Sequence, residues 1–385
     1  MAKERRLYAD DGVDTGEGDT FSRRAARICR ASYGNSPYVR VRDFSRGHFR
    51  GPRGYSFRGL PRGYVKALAA DGAGTKTVVT VASELCSEGG FDVLAMTAMD
   101  ITRWGGLALL IIDTLDARTI GKAGTPTNDM AIQLMESLGR AAKENRMVVY
   151  GGETAELGVC VGSDNPDAAL MYNWTGTAQG VYHPSKMILG ETLAPGQSIM
   201  ALRELGFRSN GWSSVRKGAE MHWGPEWYND PEAKAALREA AVPSKLYDML
   251  LTQLNGWWSP PHFEEEIQMH LIVHVTGGAV RSKLAEDILF RLGLSAELPD
   301  LWEPPRMMRE VVKWRGMPDD QCYETFGCGN GALVVIEQRD EARFVGRAAE
   351  FDIEARKAGE ITRAHEPRVK IVSQFTGNEI VFHPQ

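Results

Sequence analysis

The chain has 385 residues, of which 43% are hydrophobic and 25% are charged, and its formal net charge is −5. These values are ordinary for a folded protein and exclude a wholly disordered or fibrous chain. The acidic balance provides no overall positive field that would recruit nucleic acid. The length suggests two or three domains, each large enough to bury a core of its own.

Targeting signals and disulfides are not predicted. No 18-residue apolar stretch indicates a membrane span, and no apolar segment follows the charged residues 1–6 as it would in a secretory signal. The five cysteines are widely spread, without a CxxC pair or a disulfide framework, so we expect free thiols in a reducing cytoplasm. The 41 glycines exceed the usual share, which indicates tight turns and backbone that approaches a ligand closely.

The first half of the chain predicts an arginine-rich loop followed by alternating strands and helices. Residues 40–64 alternate arginine with glycine and interleave aromatic residues, a composition also found in RNA-binding segments. We interpret this run as a solvated loop that closes on an anionic ligand, with RNA binding as the alternative. Periodicity then predicts strands at 64–70, 77–81, 107–112 (delivering Asp113 at its end) and 147–150, and an amphipathic helix at 128–145.

The second half repeats this alternation, which indicates an α/β (α+β) class. Predicted strands cover 198–202, 270–275 and 332–336, and predicted helices cover 242–254, 307–313 and 341–358. We place the boundary in the stretch 184–195, which divides the chain into domains 1–183 and 184–385.

Glycine, hydroxyl and carboxylate side chains recur where predicted strands end. Such glycines let backbone N–H groups approach phosphate oxygens, and carboxylates hold the magnesium that neutralises phosphate. The places are 71–76, Asp100, 151–156 and 276–278. None has the P-loop spacing, and no GxGxxG follows the first strand, so the residues alone predict only a phosphate or metal site.

The ordered set of these motifs resembles one family. In chain order the blocks are Asp11-Gly12-Val13-Asp14, Asp71-Gly72-Ala73-Gly74-Thr75-Lys76, the segment 94–100 ending in Asp100, Gly151-Gly152-Glu153-Thr154-Ala155-Glu156, the segment 209–217 beginning Ser209-Asn210-Gly211, Pro243-Ser244-Lys245-Leu246-Tyr247, His274-Val275-Thr276-Gly277-Gly278 and Thr325-Phe326-Gly327-Cys328-Gly329. Together they resemble phosphoribosylaminoimidazole (AIR) synthetase over nearly the whole chain.

The resemblance implies two α/β domains, a barrel formed by the N-terminal sheets of a homodimer, and ATP-dependent cyclisation of formylglycinamidine ribonucleotide to 5-aminoimidazole ribonucleotide. ATP and Mg²⁺ are the implied cofactors, and ATP would phosphorylate the formyl oxygen before a substrate nitrogen displaces the phosphate. Its motifs assign the site residues as follows: catalytic Asp100, Lys76 and His274; cofactor-binding Asp71, Gly72, Gly74, Thr75, Gly151, Gly152, Glu153 and Thr154; substrate-binding Ser209, Asn210, Gly211, Thr276 and Gly277; metal-binding Asp71 and Asp100. Asp113 at the predicted strand end is a further metal candidate, and Arg58 and Arg62 of the arginine run are further substrate-binding candidates. Two alternatives stay open: Lys76 pairs with a nearby carboxylate, and His274 is a buried core histidine.

The chain departs from the family pattern at several of these motifs. A His-Asp-Thr triplet is replaced by Cys86-Ser87-Glu88, a histidine by Arg208, a glycine by Ala279 and an asparagine by Gly327, and Arg281-Ser282-Lys283 stands where an Asn-x-Pro-Arg segment is expected. The alternatives are therefore another ATP-dependent member of the superfamily or a nucleotide-binding homologue without turnover. Arg58 and Arg62 stand nearest the Asp71 turn along the chain, so we expect them to contact a phosphorylated ligand.

Overall fold

The structure is a computed structural model that describes residues 15–46 and 51–385. The Asp11–Asp14 block and the central part of the arginine-glycine run therefore lie outside the described residues. The fold is a mixed α/β arrangement of three sheets with helices packed against them. Within the described ranges, no helix is both long enough and apolar enough to cross a membrane.

The N-terminal half is built on a four-stranded sheet of order β3-β6-β4-β5. Ahead of it stand the long helix α1 and a hairpin that covers one end of the sheet. The bounds are α1 Thr15–Ser32, β1 Val39–Asp43, β2 Arg53–Phe57, β3 Val65–Gly72, α2 Lys76–Ala82, α3 Gly89–Thr102, β4 Leu107–Ala117, α4 Pro126–Glu144, β5 Val148–Glu156 and β6 Tyr172–Tyr182.

The C-terminal half is built on a seven-stranded sheet of order β13-β12-β9-β11-β7-β10-β8. Its elements are β7 Ser198–Arg203, α5 Trp212–Trp223, α6 Pro231–Ala240, α7 Asp248–Leu254, β8 Met269–His274, a π-helix Ala279–Leu289, β9 Ser295–Leu298, α8 Arg306–Arg315, α9 Asp319–Thr325, β10 Asn330–Ile336, α10 Glu341–Ala349, β11 Ala355–Thr362, β12 Val369–Val372 and β13 Glu379–Phe382. The predicted division at 183/184 falls between the last strand of the first sheet and the first strand of the second.

The two faces of the four-stranded sheet differ in what covers them. One face carries Ala69, Ala178 and Ile111, which pack under α3 and α4 in the main N-terminal core. The other face leaves Leu68 70% exposed and Ile112 42% exposed. Side chains alternate between faces along a strand, so this register also decides which polar residues lie beside the helices.

Three predicted elements are wrong, each for a physical reason. Residues 77–81 are β-branched and were predicted as a strand, but they form α2, where Val79 and Val81 pack into the cores. Asp113 does not end a strand, because β4 continues to Ala117. The predicted helix 341–358 ends at Ala349, and residues from Ala355 onward pair with β7 instead. In each case tertiary packing overrides local propensity.

Candidate functional site between the two domains

Turns from both domains meet at the end of β3. A Cβ added to Gly74 would lie 3.7 Å from the carbonyl oxygen of Ser209, and Thr75 Oγ1 lies 3.4 Å from Ser213 Oγ. A Cβ added to Gly277 would lie 3.9 Å from Asn210 Oδ1. The predicted phosphate turn of the first domain therefore faces the two predicted substrate turns of the second.

Two carboxylates line this junction. Asp71 ends β3 and accepts a hydrogen bond of 2.7 Å from the Gly72 amide, while Asp100 lies on α3 with its side chain 32% exposed. Burial, together with the nearby charge of Asp100, raises the pKa of Asp71. Burial also acts to raise the pKa of Asp100, but contact with His274 and the charges of Arg103 and Lys283 outweigh it and lower that pKa. The two carboxylates are thus close enough to influence each other.

A buried chain of polar groups lies behind Asp100. His274, which is 0% exposed, places Nδ1 3.6 Å from Asp100 Oδ1 and Nε2 3.1 Å from Arg208 Nη2. Arg208, 2% exposed, donates from Nη1 to Glu204 Oε2 at 2.7 Å and to the Lys245 carbonyl at 3.1 Å. Burial and the charge of Arg208 help to lower the pKa of His274 to about 3. His274 is therefore neutral, and its Nε2 lone pair is already engaged.

Polar atoms without partners face the same junction. Ser209 Oγ and Asn210 Nδ2 are both buried and make no hydrogen bond within the described part of the chain. Thr276 is 7% exposed and is contacted by the Lys283 ammonium, whose pKa is lowered chiefly by burial. Buried donors without acceptors are unfavourable unless something else satisfies them, which makes this junction a candidate ligand site.

Gly211 lies at the same junction, where it allows the backbone a conformation that other residues rarely adopt. It begins α5 with φ +74°, and an added Cβ would collide with the ring of Phe326. The Thr325–Gly329 turn therefore packs directly on the Ser209 turn. Glycine is required here because the left-handed conformation and the close approach both exclude a side chain.

Lys76, predicted as catalytic, has a different position. Its side chain is 1% exposed, and its ammonium is paired with Asp92 at 2.8 Å and donates to the Val242 carbonyl at 2.9 Å. Ser244 also donates to Asp92, from both its amide and its hydroxyl. Lys76 thus joins the two domains through a buried ion pair, and its ammonium is not available to a ligand.

Asp113 does not join Asp71 and Asp100 in one metal site. Asp71 and Asp113 pair with Gly176 from opposite sides of β6, so two strand spacings, about 10 Å, separate them. Trp174 donates to Asp113 Oδ2 at 2.9 Å, while Oδ1 is buried without a partner. Burial raises the pKa of Asp113 to about 7. Within the described residues, no three His, Cys, Asp or Glu side chains converge on a common metal position.

The predicted cofactor residues of β5 accompany Asp113 instead. Gly151, Gly152, Glu153 and Thr154 line a cavity of about 420 Å³ whose other walls come from α1, α4 and Arg53. Cys29 also faces it, with a pKa raised by burial to about 12, so this thiol is not a nucleophile. The residues predicted as one nucleotide site therefore lie in two places.

Arg58 and Arg62 are not near Asp71. They precede Val65, the first residue of β3, whereas Asp71 lies six residues further along that extended strand, about 20 Å away. Arg58 donates to the Pro37 carbonyl at 3.1 Å, and the Arg62 carbonyl contacts His183 at 2.9 Å. The run is also not wholly a loop, because β1 and β2 pair within it. The two arginines therefore lie at the other end of β3 from Asp71, and their contact with a phosphorylated ligand stays a prediction.

Two cations of the site were not predicted from the sequence. Arg208 and Lys283 were visible only as departures from the family pattern, at positions where the family has other residues. In the sequence each is a charged residue beside a glycine-containing turn, and this local pattern is also typical of solvent-exposed surface. By contrast, the departure at Cys86 lies in the N-terminal core with 1% exposure, away from the junction.

Comparison with known proteins agrees with this geometry. Residues 194–372 match the family model described as "AIR synthase related protein, C-terminal domain". Phosphoribosylformylglycinamidine cyclo-ligase of Methanosarcina barkeri is 26% identical over 89% of this chain and 92% of its own, and that of Methanocaldococcus jannaschii is 25% identical over 83% and 82%. Residues 194–372 therefore match the C-terminal domain of this family, and the chain is similar to these cyclo-ligases over most of its length.

Two solved structures share their fold with most of this chain. The hydrogenase maturation protein HypE in complex with ATP superposes with a TM-score of 0.55 at 13% identity, covering 86% of this chain and 87% of its own. Thiamine-monophosphate kinase from Stenotrophomonas maltophilia superposes with a TM-score of 0.54 at 16% identity, covering 89% and 94%. At these identities the likeness shows a shared fold and nothing further.

Proposed function

We propose that the protein is an ATP-dependent cyclo-ligase that converts formylglycinamidine ribonucleotide to 5-aminoimidazole ribonucleotide in purine biosynthesis. The observation that carries the proposal is the convergence of Asp71, Asp100, Ser209, Asn210 and Thr276 at the domain junction. These residues come from four separate sequence blocks of the family. Cyclo-ligases named for this reaction resemble the chain over most of its length. ATP would activate the formyl oxygen as a phosphate ester, and a substrate nitrogen would then displace phosphate.

The donor set at the junction suits Mg²⁺ bound together with ATP. Mg²⁺ in nucleotide enzymes is held by one or two carboxylates while phosphates and water complete its shell. Asp71 and Asp100 supply two carboxylates, and the charge of Asp100 helps burial to raise the pKa of Asp71. These two residues would hold the ion, and Asp113 would not. When bound, Mg²⁺ supplies neutralisation of the triphosphate charge.

The remaining residues position the reactants. Asn210 Nδ2 and Ser209 Oγ are buried donors without protein acceptors, so an anionic or carbonyl oxygen of the ligand would satisfy both. The Lys283 ammonium, held at Thr276, adds a positive charge beside Asp71 and Asp100. Burial at the junction limits water, which would otherwise hydrolyse an activated amide. Catalysis of this kind rests on positioning and charge neutralisation.

We further propose that the enzyme is a cytoplasmic homodimer. The open face of the four-stranded sheet carries Leu68 and Ile112, whose exposure supports burial against a second copy. Such a contact would close the sheets of two protomers into one barrel. All five cysteines are free, which supports a reducing compartment. Sedimentation equilibrium of the wild type and of Leu68→Asp tests this: the variant should be monomeric, and a monomeric wild type would contradict the dimer.

The proposed activity is tested by incubating the protein with ATP, Mg²⁺ and formylglycinamidine ribonucleotide and measuring aminoimidazole ribonucleotide. We expect product, and we expect Asp100→Asn to lower kcat/KM by about a hundredfold or more. Asp167→Asn, an exposed carboxylate outside the junction, is the matched control. Calorimetry with Mg²⁺ and ATP accompanies the assay. Nucleotide binding without product would favour a binding homologue, and the absence of both would reject the proposal.

A further inference from the structure

Arg208 has an unusual conformation as well as a buried charge. Its φ of +53° lies in the left-handed region, which residues with a Cβ rarely adopt. The guanidinium is 2% exposed and lies 5.3 Å from the centre of the Tyr247 ring. Strained, buried residues of this kind persist where surrounding contacts hold them, and they concentrate at functional sites.

The contacts of Glu204 explain how that strain is held. Glu204 is 2% exposed, and besides Arg208 it accepts from the Tyr247 hydroxyl at 3.2 Å and from the Lys245 amide at 3.3 Å. Glu204 thereby fixes one side of the Arg208 guanidinium. On the other side of the guanidinium, Arg208 Nη2 lies 3.1 Å from His274 Nε2.

The chemistry of the two side chains then determines the position of a proton. A guanidinium has N–H donors and no acceptor, so the imidazole nitrogen that faces Arg208 must accept. Nε2 of His274 is therefore unprotonated. In a neutral imidazole the proton must lie on the other nitrogen, Nδ1. That nitrogen is buried, has no hydrogen-bond partner among the described residues, and lies 3.6 Å from Asp100 Oδ1.

We propose that Arg208 is a positioning residue: it holds His274 as the Nδ1–H tautomer, so that the imidazole directs its proton at the Asp100 carboxylate. His274 consequently serves as a donor to Asp100 and not as a general base. The distance of 3.6 Å is just longer than a hydrogen bond, so a closure of a few tenths of an ångström completes the contact. The consequence for ligand binding rests on the proposed function, whereas the tautomer does not.

The tautomer is measured directly by long-range ¹H–¹⁵N spectra of protein labelled at histidine, with His274→Gln to assign the signal. We expect a protonated Nδ1 and an unprotonated Nε2 in the wild type. A protonated Nε2, alone or with a protonated Nδ1, would overturn the proposal. This measurement needs no altered arginine and no turnover, so it decides the proton position whether or not the protein is a cyclo-ligase.

The role of Arg208 is tested by Arg208→Met, which removes the donors, with Arg208→Lys as the conservative partner. We expect Arg208→Met to populate the Nε2–H tautomer and to weaken Mg²⁺·ATP binding about tenfold in calorimetry, and Arg208→Lys to restore part of both. An unchanged tautomer, or a changed tautomer with unchanged affinity, would contradict the positioning role. If Arg208→Met does not fold, Glu204→Gln loosens the guanidinium instead, and the same two readouts apply.

Discussion

Asp248 allows a quantitative test of the domain junction. It begins α7, is 4% exposed, and accepts a hydrogen bond of 2.5 Å from Thr102 Oγ1 at the end of α3. Its other oxygen, Oδ2, is buried without a partner, as is Oδ1 of nearby Asn145. Burial raises the pKa of Asp248 from 3.8 to about 6. The ionised carboxylate is therefore a source of instability between the two domains.

The sign of the pH dependence follows from where the proton binds. Between pH 3.8 and about 6 the folded chain holds a proton on Asp248 that the unfolded chain has lost, so stability falls as pH rises through this range. A shift of about two pH units corresponds to about 3 kcal/mol, of which about 2 kcal/mol develops between pH 4.5 and 7.5. Asp248→Asn removes this penalty, because the amide side chain does not ionise.

We expect the increase in Tm that Asp248→Asn produces relative to the wild type to be roughly 2–3 °C larger at pH 7.5 than at pH 4.5. Calorimetric melts at both pH values measure this difference, and Asp167→Asn on the exposed surface is the control for loss of one negative charge. An offset between Asp248→Asn and the wild type that is equal at the two pH values would refute the reasoning.

Two further predictions concern buried contacts and need only thermal melts. Lys76→Met leaves Asp92 as an uncompensated buried charge, so we expect it to destabilise the protein by about 3–5 kcal/mol. The control is Lys217→Met at an exposed ion pair, which should change stability by less than about 1 kcal/mol. Equal effects of the two substitutions would show that the buried pair does not stabilise the fold. Gly152→Ala would place a Cβ 2.8 Å from the Asp113 carbonyl oxygen and closer still to its carboxylate. We expect this clash to lower the free energy of unfolding by about 1–3 kcal/mol. The control is Gly151→Ala, whose added Cβ meets nothing within 4 Å, and a comparable loss of stability there would contradict the steric argument.

The sequence alone was sufficient to identify the turns that form the junction. Glycine with hydroxyl and carboxylate residues is a local chemical requirement of backbone that approaches a ligand, and it leaves a local pattern. The motifs containing Asp71, Asp100 and Thr276 are predicted in this way, the Ser209 motif is added by the family resemblance, and the structure brings the four together. Their order along the chain also indicated the superfamily, which comparison with known proteins supports.

Only the tertiary structure decided which other residues take part. An extended strand separates sequence neighbours by more than 3 Å per residue, so Arg62 lies far from Asp71 although only eight positions intervene along the chain. The pairing of β3, β6 and β4 places Asp113 in a different cavity, and the contact between domains buries Lys76 against Asp92. Strand register and domain packing arise from contacts distant in sequence, and a local pattern does not contain that information.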